Sequence, residues 1–444
     1  MKLTIAKDSP LRQSSFTFGA ATASFQIEGG IEQRDPCIWD TFCNQPGTIR
    51  DNSNGDVACD HYHRWQEDVK LIASLGVDAY RFSISWPRVM DEHGQLKDEG
   101  ITFYARLLDA LAEQGIKAYV TLYHWDLPQY LEDKGGWLNR DTAYAFEHYV
   151  DKVSAALGDR VFSFATLNEP FCSAYLGYEL GIHAPGKTGV ENGRTAAHHL
   201  MLAHGLGMGM LRKNAPHCMN GIVLNVSPSF PATNDPRDIL AARQADDLLN
   251  QWYFQPILTG SYPHILENLP EEYQPPIKEG DMAIINAELD FLGINYYTRE
   301  IYMHDEEKGF KAKEQKTLPT TEMGWEVYPS GLLLVLDELN RRYKLPPVYI
   351  TENGAAMSDT LEDGQIYDVE RVDYYQHHLE AVENAIKKGV DVQGYFAWSL
   401  MDNFEWAEGY KKRFGIVYVD YETQQRYLKE SGKAYQAFLQ SRNQ

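Results

Sequence analysis

Eight short, almost continuously apolar stretches recur along the chain, each followed by a longer segment in which apolar residues return every three or four positions. The stretches cover residues 16–25, 79–86, 117–125, 162–169, 221–226, 289–297, 347–352 and 392–400. Runs such as Tyr119-Val-Thr-Leu-Tyr123 do not alternate with polar residues, which is how strands buried on both faces of a parallel sheet read. Between them, Tyr62, Trp65, Val69 and Ile72 share one helical face ahead of a stop at Gly76. A second helix, with Asp141 as its N-cap, carries Tyr149, Val150 and Val153 towards Gly158, and a third spans 368–388 before Gly389. Strand and helix repeated eight times with right-handed crossovers predict an α/β fold, a (β/α)8 TIM barrel with extended βα loops. No linker-like tract divides the chain, so a single catalytic domain over 1–444 is expected. The excess length falls at 174–193, 300–323 and 403–421, positions that build the ligand-binding face of such a barrel.

Two of the eight runs end at carboxylates, in Thr166-Leu-Asn-Glu169-Pro and Tyr349-Ile-Thr-Glu352-Asn-Gly. Both strands deliver a glutamate to the C-terminal mouth of the barrel, where a charge must be solvated or held by partners. Either one alone reads equally well as a rim salt bridge. A facing pair, however, is the machinery of glycosidic bond cleavage, one carboxyl protonating the leaving oxygen while the other attacks or activates water. Other strand ends bring polar and aromatic groups to the same rim: Gln26 and Glu28, Arg81, His124 and Trp125, Asn168, Asn295 and Tyr297, Asn353, and Trp398. Taken singly, His124 reads as a structural histidine and Trp398 as core.

Composition narrows the partners. Sixty-three acidic against 41 basic residues leave a net charge of −22, which disfavours nucleic acid or an anionic membrane as a partner. Five cysteines without a C-x-x-C pair fit a reducing compartment, and neither a signal peptide nor an apolar span of about 18 residues is evident, so a cytoplasmic location is expected. No H-E-x-x-H spacing, P-loop or strand-linked G-x-G-x-x-G occurs, so neither a metal nor a cofactor is expected; Gly205-Leu-Gly-Met-Gly falls inside a helical segment. Adjacent pairs such as His198-His199 and His377-His378 point different ways on a helix, and His61 with His63 has no evident carboxylate motif.

Across nearly its whole length the chain resembles glycoside hydrolase family 1, the family of β-glucosidases and phospho-β-glycosidases. The resemblance rests on Phe16-Thr-Phe-Gly-Ala-Ala-Thr-Ala-Ser-Phe-Gln26-Ile-Glu28-Gly, Thr166-Leu-Asn-Glu169-Pro and Ile350-Thr-Glu352-Asn-Gly, in order at runs one, four and seven. It implies Glu169 as acid/base and Glu352 as nucleophile, with Arg81 and Tyr297 holding Glu352 ionised and Asn295 supporting Glu169. It further implies that Gln26, His124, Asn168 and Glu405 bind sugar hydroxyls, that Trp398 is the stacking platform with Trp406 beside Glu405, and that Trp325 belongs to the aglycone site. Where phospho-specific relatives carry Ser and Tyr in the last barrel loop, this chain has Glu405 and Phe414, and a carboxylate there repels phosphate; Lys412 does not discriminate. The expected activity is therefore retaining hydrolysis of small β-glucosides, including cellobiose, short cello-oligosaccharides and aryl glucosides, with side activity on β-galactosides or β-fucosides. A 6-phospho-β-glycosidase and an inactive sugar-binding barrel are the alternatives, and oligomeric state is left open. Retention requires the two carboxyls to lie about 5 to 5.5 Å apart.

Overall fold

The computed structural model describes residues 2–314 and 316–442. Eight parallel strands close a barrel: β1 (Thr17–Ala21), β2 (Ala79–Ser83), β3 (Lys117–Tyr123), β4 (Ser163–Asn168), β5 (Met219–Asn225), β6 (Phe291–Asn295), β7 (Val348–Asn353) and β8 (Val392–Trp398). Each strand pairs with its neighbours in sequence, and β1 closes on β8 through the register Thr17 to Gly394. All eight predicted runs overlap a strand, but most overshoot it at the C-terminal end. The clearest case is the first, in which residues Ser24–Ile27 form a short helix instead.

The apolar runs are continuous because both faces of each strand are covered. Inside the barrel, Ala79, Tyr119, Ala165, Val223, Phe291, Tyr349 and Phe396 pack on one another below the mouth. Outside it, a ring of helices covers the other face: α1 (His61–Leu75), α2 (Asp98–Glu113), α3 (Asp141–Leu157), α4 (Val190–Asn214), α5 (Pro236–Ala245), α6 (Pro329–Arg342), α7 (Val369–Lys387) and α8 (Glu430–Ser441). α1 stops where expected, at Gly76, whose φ of 75° suits the left-handed C-cap. The expected N-cap of α3 is corrected: Asp141 is the first helical residue, Arg140 occupies the cap, and no side chain caps the helix. Asp141 still places its charge in the first turn, where the helix dipole favours it.

The three long loops have structure of their own. The first opens with a π-helical segment, Cys172–Glu179. In the second, strands Glu300–Asp305 and Gly309–Ala312 join Ser229–Pro231 in a small sheet. The third holds the turn Trp406–Glu408 and the strand Val417–Val419.

The ladder loses its even register at two places that matter. β4 slips against β5 between Ala165 and Asn168, and β7 slips against both neighbours beyond Ile350. Such bulges re-aim side chains at strand ends, and here they precede Glu169 and Glu352.

Candidate active site

The mouth of the barrel opens into a cavity of about 800 Å³. Its wall includes His124, Glu169, Asn295, Tyr297, Trp325, Glu352, Trp398, Glu405 and Trp406. Of the residues singled out in the sequence, Gln26, Arg81 and Asn168 lie behind that wall and hold those in front. All three are buried, as are Glu169 and Glu352.

Glu352 closes β7. Its Oε1 accepts from Arg81 Nη1 at 2.6 Å and its Oε2 from the Tyr297 hydroxyl at 2.6 Å. Both oxygens thus face strong donors, one of them cationic, as suits a carboxylate anion. Burial, and then the neighbouring Glu352, push the Tyr297 hydroxyl well above its usual range, so it remains a donor.

Glu169 follows β4 with φ of 47°, a left-handed conformation that costs a non-glycine residue about 1–2 kcal/mol. A backbone bond to the Val223 carbonyl at 2.9 Å holds it there. Its Oε1 accepts from Asn295 Nδ2 at 2.6 Å and its Oε2 from Cys172 Sγ at 3.0 Å. Burial comes first and the charge of Glu352 second in raising its pKa to about 7, against the opposing pull of Cys172, Asn295 and Arg81. The two carboxyls in one cavity thus have unlike partners: a guanidinium and a phenol at Glu352, an amide and a thiol at Glu169.

A chain of hydrogen bonds joins the two glutamates. Arg81 Nη2 donates to Asn168 Oδ1 at 2.8 Å, Asn295 Nδ2 donates to the same oxygen at 3.0 Å, and that Nδ2 reaches Glu169. Thr351 was not singled out in the sequence, yet its hydroxyl donates to Asn295 Oδ1 at 2.7 Å and so fixes which way the amide points. The only sequence signal was its place in the Ile350-Thr-Glu352 motif. Cys172, counted there merely as an unpaired thiol, was missed as well.

The far side of the cavity is aromatic. His124 Nε2 accepts from Asn168 Nδ2 at 3.1 Å, which leaves its proton on Nδ1. Burial, and then Arg81, push its pKa well below the usual value, so the ring stays neutral. It stacks between Trp398 and Trp406, 6.0 Å from each and within 14° of parallel. Trp406 in turn stacks on Phe25 at 5.9 Å. Half-buried Glu405 lies 3.4 Å from Gln26 Nε2, which also donates to the Phe404 carbonyl at 2.9 Å and to Asn403 at 3.0 Å. Burial, followed by Glu352, raises Glu405 to about 8. Trp325 packs 5.4 Å from Tyr297 and 6.0 Å from Phe414, at the outer edge.

Other rim expectations are corrected. Glu28 does not face the cavity; it pairs with Arg88 at 2.9 Å and accepts from Tyr104. Asn353 is tied to the Tyr296 carbonyl at 2.7 Å and to the Tyr395 hydroxyl at 2.6 Å. His61 and His63 do have carboxylate partners, Asp68 at 2.8 Å and Asp60 at 2.6 Å, as hydrogen bonds outside the cavity wall. Lys412 donates to the Glu322 carbonyl and lies 4.0 Å from the Glu322 carboxylate. Among the described residues, no cluster of three or more His, Cys, Asp or Glu side chains is placed to hold a metal ion.

Comparison with known proteins gives the family. The family model for glycosyl hydrolase family 1 matches residues 10–444. The chain is 47% identical over 430 residues to a β-glucosidase of Agrobacterium sp., covering 95% of this chain and 94% of that protein. It is 44% identical over 452 residues to a bifunctional β-D-glucosidase/β-D-fucosidase of Bifidobacterium breve, with coverage of 96% and 97%. Among solved structures, a GH1 β-glucosidase from Exiguobacterium antarcticum superposes with a TM-score of 0.94 at 42% identity, over 97% of this chain and 98% of that one.

Proposed function

The chain belongs to glycosyl hydrolase family 1 and is a β-glucosidase, and from that premise we propose that it releases terminal non-reducing β-D-glucose by double displacement, with Glu352 as nucleophile and Glu169 as acid/base. The observation that carries this reading is the unequal support of the two carboxyls: Glu352 between Arg81 and Tyr297, Glu169 in a less polar niche that raises it to about 7.

In the first step an oxygen of Glu352 bonds to the anomeric carbon, the glycosidic C–O bond breaks, and the Glu169 proton moves to the departing oxygen. The new ester removes the charge that had raised Glu169, so the group is then suited to act as a base. Water attacks the same carbon, its proton passes to Glu169, and Glu352 is released as a carboxylate. Gln26, His124, Asn168 and Glu405 are read as the ring of groups that recognises the sugar hydroxyls, directly or through the residue in front. Trp398 and Trp406 supply an apolar wall for the sugar face, and Trp325 borders the aglycone.

A 6-phospho substrate is not favoured. Glu405 and Phe414 put a carboxylate and a ring where a phosphate would need donors, and Lys412 is engaged by Glu322. Tolerance of β-fucosides, like that in the name of the Bifidobacterium relative, belongs to the same reading. So do a single domain over 1–444, short cello-oligosaccharides from cellulose breakdown as substrates, and a cytoplasmic location, the last supported by five unpaired cysteines. No helix among the described residues is long and apolar enough to cross a membrane.

The test compares 4-nitrophenyl β-D-glucoside with its 6-phosphate and follows the anomer first formed by proton NMR. Release of β-glucose from the unphosphorylated substrate is expected. α-Glucose as first product would overturn retention, and preference for the phosphate would overturn the subclass.

A further inference from the structure

Glu169 has two oxygens and two different holders. Asn295 Nδ2 is a donor that Thr351 keeps pointed at Oε1, so Oε1 cannot pass a proton to it. Oε2 faces Cys172 Sγ at 3.0 Å. A thiol is a weak donor and a weak acceptor on a rotatable bond, so it can donate to the carboxylate and still accept weakly from the acid. The group that must alternate between these two forms in each turnover therefore meets, on its proton-bearing side, a partner that can answer both.

Cys172 is well placed for this and for little else. It opens the π-helical segment, its own N–H bonds to the Glu169 carbonyl at 2.9 Å, and its side chain lies on the cavity wall although the residue is only 8% exposed. Burial, with the charge of Glu169 next, pushes the thiol well above its usual range, so it stays protonated and available as a donor.

We propose that Cys172 is a positioning residue for the hydrolytic reaction, its S–H orienting Oε2 of Glu169 and setting how readily that carboxyl surrenders and regains its proton. This rests on the assignment of Glu169 as acid/base. The other titratable groups around Glu169 are Glu352 from β7, Arg81 from β2, Tyr297 beyond β6, Glu405 beyond β8, and His124 and His183, both kept neutral by burial. Tyr253 faces Cys172 from the other side and is kept protonated by burial, and a substitution at position 172 removes none of these groups.

The experiment measures kcat/KM for phenyl β-D-glucoside, a poor leaving group, from pH 4 to 10 in the wild type, Cys172→Ser, Cys172→Ala, Glu169→Gln and Cys218→Ser, with a melting curve for each. Cys218 is a buried thiol bonded to the Val161 carbonyl at 3.0 Å, away from the cavity, and serves as the control. The hydroxyl of Cys172→Ser is a stronger donor to the carboxylate and should lower the alkaline limb by about half a pH unit, while Cys172→Ala should raise it by about as much. Cys218→Ser should leave it in place. Unmoved limbs in both Cys172 variants, shifts in the same direction, or a change in KM alone would overturn the proposal. If the alanine variant fails to fold, the serine variant decides by the sign of its shift. Glu169→Gln separates the two levels: an alkaline limb that survives it sinks the acid/base assignment, whereas a limb lost in Glu169→Gln but unmoved in the Cys172 variants sinks only the role of Cys172.

Discussion

Two clusters of charge are buried near the barrel mouth, and they are balanced in opposite ways. On the cavity wall, Glu169 and Glu352 share the cation Arg81, while half-buried Glu405 adds a third carboxyl whose charged neighbours are the acids Glu352, Glu408 and Glu169. Behind the last loop, Asp359, Asp368 and Asp402 meet Arg371, Arg413 and Lys429. Arg371 holds Asp359 at 2.8 Å and also pairs with Asp368, Arg413 holds Asp402 at 2.6 Å, and Lys429 bridges Asp359 at 2.5 Å and Asp402 at 2.7 Å. In the second cluster burial alone would raise Asp359, but Arg371 and Lys429 outweigh it and bring it below its usual value. In the first, burial and like charge act together, and the protons of Glu169 and Glu405 are held near neutral pH. A matched set of charges fixes shape, whereas an unmatched set keeps protons that can be moved.

The contrast is sharpest where the unmatched set is cut. Glu352→Ala should lower kcat by a factor of roughly 10⁴ to 10⁶ on every β-glucoside, since the nucleophile has no substitute. Glu169→Ala should cost about 10²- to 10⁴-fold with poor leaving groups and far less in glycosyl-enzyme formation from dinitrophenyl glucosides. Stopped-flow bursts measure that step. Equal losses on both substrate types would remove Glu169 from the acid role. Glu169→Ala should leave the melting temperature little changed, whereas Glu352→Ala leaves the buried Arg81 guanidinium without its carboxylate and should lower it.

Cutting the matched set should do the reverse. Lys429→Met leaves Asp359 and Asp402 facing each other without their shared cation, and breaking a buried pair in this way costs about 3–5 kcal/mol. Urea unfolding should show it as a lower midpoint. Asp402 also accepts from the Gly415 N–H at 3.0 Å and so anchors the loop that carries Asn403 and Glu405. KM should therefore rise while the pH limbs of kcat stay put. Loss of kcat with unchanged stability would mean that the second cluster is not structural.

This division also marks what could be read from the chain. The barrel was legible because its strands are buried on both faces and so appear as unbroken apolar runs; the overshoot at residues 22–25 arose because Phe25 is just as apolar in a helix that lines the mouth. Glu169 and Glu352 were legible because each ends such a run. The groups that set their behaviour were not: Thr351 acts on Asn295, 56 residues away, and the thiol of Cys172 has no signature beyond its type. The matched cluster was invisible for the same reason, since Lys429 and Asp359 are 70 residues apart and meet only when α8 docks under the last loop.

Glu405 allows the smallest and most specific test, because it belongs to the unmatched set without being assigned to bond making. Folded, it binds its proton up to about pH 8; in the unfolded chain it would lose that proton near 4.5. Its contribution to stability is thus fully present below pH 4.5 and is lost as pH rises through 8, because the unfolded state sheds the proton first. Glu405→Gln removes this dependence. The variant should melt no higher than the wild type at pH 5 and increasingly higher towards pH 9, with a gain of about 1 kcal/mol or less once the exposure of the side chain to the cavity is allowed for. Its cost should fall on glucose recognition, seen as a raised KM. A melting difference that stays constant from pH 5 to 9 would show that Glu405 is ionised throughout, and that the cavity wall is closer to the matched cluster than its geometry implies.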